Sequence, residues 1–483
     1  LTEIKAFEIM LFEPLIDYAQ RKKMYKPLRS YGLEPVTKVI TQKPVLPSYN
    51  LLSNGRYHFA LDEAGNGCAV LNGITLYKEL NYNHGVNVFI DGQVIKILSE
   101  AQAIVQNNSF SLYRYKYHDI IFDLKIAITQ DYDGEIRSLT IINYSEEKIS
   151  CKAAFFIEPV LTYAENYYAH PVFNNMVVKT DRDENIIYAF RNNETNPVYL
   201  AASVCEGNAL YETNRFNFHS RDGLGWTKIN GERADSFGEI LEPVLGAVKE
   251  ITLNPSSQTT LNFIVSASKN IDIIKDAICA YSCEDAIDKA IDTSTIYLKQ
   301  LWTTFTPSKN IMEIVSAMYS RIKSCPIKYD DNYTDLQDDI NILSKNGIYA
   351  TRPIITFFYR NNLNELLKTI EIYKYLSSFG LKITLVLLYS EPEMYTNPLL
   401  SDINNAIDRL SLRHWVAENR IKIINLAQTD QNLEDILKRV SQYYFDSFFK
   451  LEDTSSAFYP IIKSKKIDAL PSQSLKAKDL DME

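Results

Sequence analysis

The stretch DIIFDLKIAITQDYDGEIRSLTIINY, residues 119–144, decides the fold. Its two halves are β-rich alternating runs, the period of a strand with two unlike faces, and Asp133-Gly134 lies between them. An Asp-Gly pair tolerates the positive φ that tight hairpins require, so the two runs are expected to pair antiparallel across it. Outward from this hairpin, further short runs recur with polar turns between them: YHFAL at 57–61, VNVFID at 86–91, SCKAAFFIEPV at 150–160, NIIYAF at 185–190, VYLAASV at 198–204 and LNFIVSA at 261–267. Strands at this spacing predict a large antiparallel β-sandwich over residues 51–270.

The flanks read differently. Residues 1–50 look like an arm, with a helical pattern to about Lys26 and then Pro27, Pro35, Pro44 and Pro47. Past residue 270 the period changes to 3.6, with Ile273, Ile274, Ala277 and Ile278 and later Ile311, Ile314, Val315 and Met318 on helical spacing, which predicts a helical linker over 271–335. Residues 336–450 open with a strand, RPIITFFY, followed by a helix carrying Leu363, Leu366, Leu367, Ile370 and Tyr373 on one face, a stop at Gly380 and a second strand, LKITLVLLY. A helix at 402–412, the strand KIINL and a last helix at 431–448 complete this unit, and residues 451–483 read as a loose tail.

Composition narrows the function. The chain has 483 residues, 46% of them hydrophobic, enough for two or three packed domains. Its 51 Lys and Arg against 60 Asp and Glu give a net charge of -9, which excludes a general nucleic-acid surface. No apolar run is long enough to span a membrane, and Glu and Lys interrupt the apolar residues of the first segment, unlike a signal peptide. The six cysteines lack the spacing of a disulfide scaffold and point to a cytoplasmic protein; Cys279 and Cys283 have no second ligand pair for zinc.

Chemistry-bearing motifs are sparse. There is no P-loop, no H-E-x-x-H and no G-x-S-x-G, and Gly65-Asn66-Gly67 reads as a turn rather than a dinucleotide loop. The histidines never stand at i,i+2 or i,i+4, so no local metal pair exists. Tyr163, Tyr167 and Tyr168 beside His170 fit two readings, the aromatic rim of a sandwich or a surface that stacks on sugars.

Several segments together carry a resemblance. Leu51-Leu52-Ser53-Asn54-Gly55-Arg56-Tyr57 followed by Ala64-Gly65-Asn66-Gly67 resembles the opening strand pair of the N-terminal sandwich in inverting phosphorylases of glycoside hydrolase family 94. His170-Pro171-Val172-Phe173-Asn174-Asn175, and Tyr211-Glu212-Thr213-Asn214-Arg215 with Phe218 and Arg221, look like the version in β-1,2-oligoglucan phosphorylases and cyclic β-1,2-glucan synthases. Glu242-Pro243-Val244 and Asn254-Pro255 follow the same pattern, which makes the likeness collinear over about residues 27–270. Beyond it, Asn346-Gly347-Ile348 is similar to the start of the family's (α/α)6 barrel, with Tyr349, Ala350 and Thr351 where the family has Ser, Gly and Asp, and the strand-helix-strand unit resembles an α/β insertion of its larger members.

The resemblance implies a β-supersandwich, a helical linker and the incomplete start of the barrel. The family's general acid lies in an Asp-Trp-Asn-Asp-type segment, and none of Trp226, Trp302 and Trp415 has that context, so no catalytic residue carries over. What is expected is a non-catalytic N-terminal half, split or truncated, of a β-1,2-glucan-active phosphorylase-like protein. Its partners would be a β-glucan oligosaccharide and a barrel-bearing chain, or else a second copy of itself. The resemblance brings no cofactor, only inorganic phosphate as co-substrate, and it places substrate contacts at Tyr211, Arg215, Arg221, Tyr168 and His170. Two other functions remain open: a stand-alone carbohydrate-binding or assembly module, and a glycosidase or transglycosylase whose carboxylates the sequence does not single out.

Overall fold

The computed structural model describes residues 37–40, 47–79, 84–205, 209–218, 236–302, 304–308, 310–324, 336–349, 351–392, 397–429 and 432–447. The helical pattern of the N-terminal arm, Arg221 and the tail at 451–483 lie outside the described residues.

The deciding hairpin forms. Ile120–Thr129 pairs antiparallel with Gly134–Asn143, from Thr129 opposite Gly134 to Ile120 opposite Asn143. The reason for glycine differs from the sequence expectation, because Gly134 has no left-handed φ. A Cβ on Gly134 would sit 2.3 Å from the carbonyl oxygen of Val265 on the neighbouring strand, so glycine is required by close backbone approach. The turn is tied down by the segment at 51–57. Asn54 Nδ2 donates to the carbonyls of Thr129 and Tyr132, both at 3.0 Å, and Arg56 Nε donates to Asp133 Oδ1 at 2.9 Å. Gly65-Asn66-Gly67 is a turn as expected, wrapped around Asp62, whose carboxylate accepts from the backbone N–H groups of Ala64 and Asn66.

Antiparallel pairing extends this hairpin into a ten-stranded sheet. Thr37–Ile40, from the stretch read as an arm, is one edge strand and pairs with Ala103–Asn107. Facing the large sheet are two five-stranded sheets. One contains Ile149–Ile157 between His84–Ile90 and Pro243–Leu253; the other runs from Pro159–Thr162 to Asn50–Ser53. All three share one core, with Tyr57, Phe59, Phe122, Leu124, Phe155, Leu200 and Phe263 fully buried in it. Burial of each such side chain contributes about 1.5–3 kcal/mol.

Two charges are built into that core. Along Gly134–Asn143, Glu135 and Arg137 share the inward face with Leu139 and Ile141, as period two dictates. Arg137 Nε donates to Glu135 Oε1 at 2.8 Å, and the hydroxyls of Tyr57 and Tyr77 donate to Glu135 Oε2 at 3.0 and 2.9 Å. The rings of Phe59, Tyr77 and Phe155 surround the guanidinium at 5.4–5.8 Å from their centroids.

The outer face of the large sheet is covered by the helices that follow it. Asn270 caps Ile271–Ala280 by accepting from the N–H of Asp272, and this helix and Ala286–Gln300 lay Ile274, Ile278, Ile287 and Ile291 on Leu112, Ala127 and Ile136. A third helix, Ile311–Ser324, shares a core with Tyr49, with Leu51 and Ala60 of the five-stranded sheet that runs to Asn50–Ser53, and with the C-terminal unit.

That C-terminal unit is a four-stranded parallel sheet in the order Ile421–Asn425, Thr384–Tyr389, Ile354–Phe358, Tyr443–Phe445. Helices Leu363–Ser378 and Pro398–Arg409 cover one face, while Leu336–Lys345 and Leu433–Val440 cover the other. Gly380, with φ of +85°, ends the first of these helices where the sequence placed its stop. The last helix is shorter than the expected 431–448: it ends at Val440, and the aromatic run at 443–445, which favours extended backbone, becomes an edge strand beside Ile354–Phe358. His58 joins the two units, with Nδ1 2.8 Å from Ser53 Oγ and 3.3 Å from Ser378 Oγ.

Candidate functional site

The two smaller sheets meet at one residue. Ile149–Ile157 belongs to one sheet, Pro159–Thr162 to the other, and Glu158 between them is fully buried. The strand after it is irregular: the register shifts between Pro159 and Thr162, and Leu161 adopts φ of +57°. Such a bulge re-aims the chain. It delivers the backbone to two short helices, Ala164–Ala169 and Pro171–Met176, joined at His170.

Glu158 gathers two cations at this seam, Lys78 and Arg215, and Glu242 joins them through Arg215. One Glu158 carboxylate oxygen accepts from Lys78 Nζ, whose ammonium also lies 5.9 Å from the centre of the Tyr167 ring. The other lies 3.0 Å from Arg215 Nε, and Arg215 Nη1 reaches Glu242 Oε2 at 3.4 Å. The Arg215–Glu158 pair is a charge contact, since its N–H does not point at the oxygen. Burial pushes the Glu158 carboxyl above the usual carboxylate range, against the opposing pull of Lys78 and Arg215. For Lys78 burial acts downward, but Glu158 and Tyr167 outweigh it and hold the ammonium above its ordinary value.

Upstream of Arg215 the backbone is pinned. Glu212 Oε1 accepts from the N–H groups of Thr213 and Asn214 at 2.9 and 2.8 Å, and the Arg215 N–H donates to the Glu242 carbonyl at 2.9 Å. Tyr211 is buried in the sandwich core, where its hydroxyl accepts from the Val204 N–H at 3.3 Å and its ring lies 5.1 Å from the Arg182 guanidinium. Its faces are therefore covered by protein.

The helical pair beyond the bulge is the exposed part. Tyr168 is 62% exposed and Phe173 69%, with Tyr163, Val172 and Met176 also open, whereas Tyr167 is buried. Beside them His170, Phe173, Asn174, Val177, Arg191 and Asn193 line an open cleft of about 440 Å³. Asn174 braces this cleft: Nδ2 donates to the carbonyls of Asn166 and His170 at 2.7 and 2.9 Å, and Oδ1 accepts from Arg191 at 3.3 Å.

The structure thus places Tyr168 and His170 on one exposed end, Arg215 at the seam beside it and Tyr211 inside the core. Sequence reading did not single out Lys78, Glu158, Phe173, Arg191 or Asn193. The signal for Glu158 was present, as a lone acid in the apolar run FFIEPV. Among the described residues, no group of three or more His, Cys, Asp or Glu side chains is arranged to hold a metal ion, and no helix is long and apolar enough to cross a membrane.

The large antiparallel sheets around one shared core are consistent with a β-supersandwich. Residues 98–284 match the family model described as Glycosyl hydrolase 94, supersandwich domain. No curated protein sequence matches the chain. Among solved structures, the chain is similar to one described as a kojibiose phosphorylase from the human microbiome (8% identity, TM-score 0.33, 63% of this chain and 44% of that one). It is also similar to a bacterial glucoamylase solved with acarbose (11% identity, TM-score 0.36, 63% of this chain and 43% of that one). A third is described as an aldose 1-epimerase from Escherichia coli K12 (8% identity, TM-score 0.27, 46% of this chain and 99% of that one). The chain spans less than half the length of the phosphorylase and glucoamylase structures.

Proposed function

We propose that this chain is the non-catalytic, sandwich-bearing part of a β-1,2-glucan-active phosphorylase-like protein. The observation that carries the reading is the match of residues 98–284 to the supersandwich model of Glycosyl hydrolase 94. In this reading residues 336–349 open an (α/α)6 barrel, the parallel unit is an insertion in it, and the catalytic remainder of the barrel comes from further residues or from a partner chain.

The assembled protein would phosphorolyse a β-glucoside with inversion. A phosphate oxygen attacks the anomeric carbon while an acid in the barrel protonates the departing glycosidic oxygen, giving α-glucose 1-phosphate and a shortened glucan. Within this division of labour, Tyr168 and His170 offer sugar contacts, and Arg215 fastens the segment leading to Arg221. The test is to tag the chain in its native cells and assay the purified assembly for phosphate-dependent glucose 1-phosphate release from β-1,2-gluco-oligosaccharides. Activity in the assembly but not in the chain alone supports the reading; no activity in the assembly contradicts it. The exposed aromatic end favours one alternative, a stand-alone carbohydrate-binding module, which predicts glycan binding with no barrel-bearing companion.

A further inference from the structure

We propose that the cleft between Pro171–Met176 and the turn at 191–193 is a binding site for a neutral oligosaccharide, with Phe173 as its stacking platform. The inference rests on the carbohydrate reading above and adds the platform, the polar partners and the charge class of the ligand.

Four observations lead to it. Phe173 is 69% exposed, and Val172 and Met176 of the same short helix are open too, an apolar surface that a folded protein rarely leaves bare without a binding role. Polar groups converge at its edge: His170, whose ring centre is 6.1 Å from that of Phe173, and the exposed amide of Asn193. The volume of about 440 Å³ lies within the range of small-ligand sites, and the lining sets the apolar Phe173 and Val177 among the polar His170, Asn174, Arg191 and Asn193, a mixture that suits a ligand with both ring faces and hydroxyls. Finally, Arg191 is already engaged, with Nε 3.3 Å from Glu194 Oε1 and Nη1 on Asn174 Oδ1. Its charge is compensated within the protein, which disfavours an anionic ligand and leaves a surface suited to ring faces and hydroxyls.

Calorimetric titration of the full chain with β-1,2-, β-1,4- and α-1,4-linked gluco-oligosaccharides tests this. A saturable signal is expected, with Phe173→Ala and Asn193→Ala each weakening it at least tenfold and Ile296→Ala, on a distant helix, leaving it unchanged. Because Phe173 and Asn193 are exposed, both variants should melt with the parent. No saturable binding of any probe overturns the proposal, as does binding that Phe173→Ala leaves intact. Association of the chain with itself that Phe173→Ala abolishes would also overturn it, by assigning the surface to a second copy. Saturable binding of the β-1,4- or α-1,4-linked probe alone supports the cleft while contradicting the β-1,2 linkage of the proposed function.

Discussion

Arg215 Nε lies 3.0 Å from Oε1 of Glu158, the buried residue at which the two smaller sheets of the sandwich meet. The pair ties the segment after Leu210–Asn214 to the seam, and it is half open: the Arg215 side chain is 37% exposed and that of Glu158 1%. Replacing Arg215 by Ala leaves Glu158 with Lys78 as its remaining strong cation, and the exposed end moderates the loss to about 1–2 kcal/mol. Thermal melting should show the Arg215→Ala variant a few degrees below the parent, with Arg215→Lys between them. An unchanged midpoint for Arg215→Ala would remove its fastening role.

The Glu135–Arg137 pair should respond much more strongly. Neither side chain has solvent access, so substituting one partner strands the other charge in the core at a cost of about 3–5 kcal/mol. Urea denaturation should find Glu135→Leu more damaging than the double replacement Glu135→Leu with Arg137→Met, in which no charge remains to be stranded. A double variant weaker than Glu135→Leu would contradict this.

Gly134 tests the close approach of two strands. Its missing Cβ leaves room for the Val265 carbonyl, and the obstacle to a side chain is backbone rather than a mobile group. Gly134→Ala should therefore destabilise by about 1–3 kcal/mol, although the φ at this position suits alanine. A neutral Gly134→Ala variant would show that the strands can move apart freely.

How much of this was legible depended on whether a feature is local. The alternation in 120–129, the change of period at Asn270 and the stop at Gly380 each have a cause within a few residues, and each appears where the sequence placed it. Gly134 was found for the wrong reason, because its true constraint comes from a strand more than a hundred residues later. Glu158 and Arg215 are brought together only by the meeting of two sheets, and Phe173 and Asn193 by the fold of a turn against a helix, so no spacing rule connects them. Tyr211 shows the opposite case, where a motif with polar neighbours gave no sign that its tyrosine ring is buried.

His58 gives stability a pH dependence. Burial lowers its pKa from 6.5 to about 4, so between these values the unfolded chain takes up a proton that the folded chain refuses. Its contribution is fully present above pH 6.5, falls as the pH drops towards about 4 and is lost below that, a total of about 3 kcal/mol. Urea midpoints measured across this range should decline for the parent and less steeply for His58→Asn. Equal slopes would place the proton uptake elsewhere.

The proposed function gives this chain the sandwich of a phosphorylase-like protein without its catalytic centre. Glucose 1-phosphate release from β-1,2-gluco-oligosaccharides in the presence of inorganic phosphate, measured for the purified 483-residue chain and for the tagged assembly from native cells, tests it most directly. No release is expected from the chain alone, and phosphate-dependent release is expected from the assembly. Turnover by the isolated chain, or an assembly that is inert towards these glucans, would contradict it.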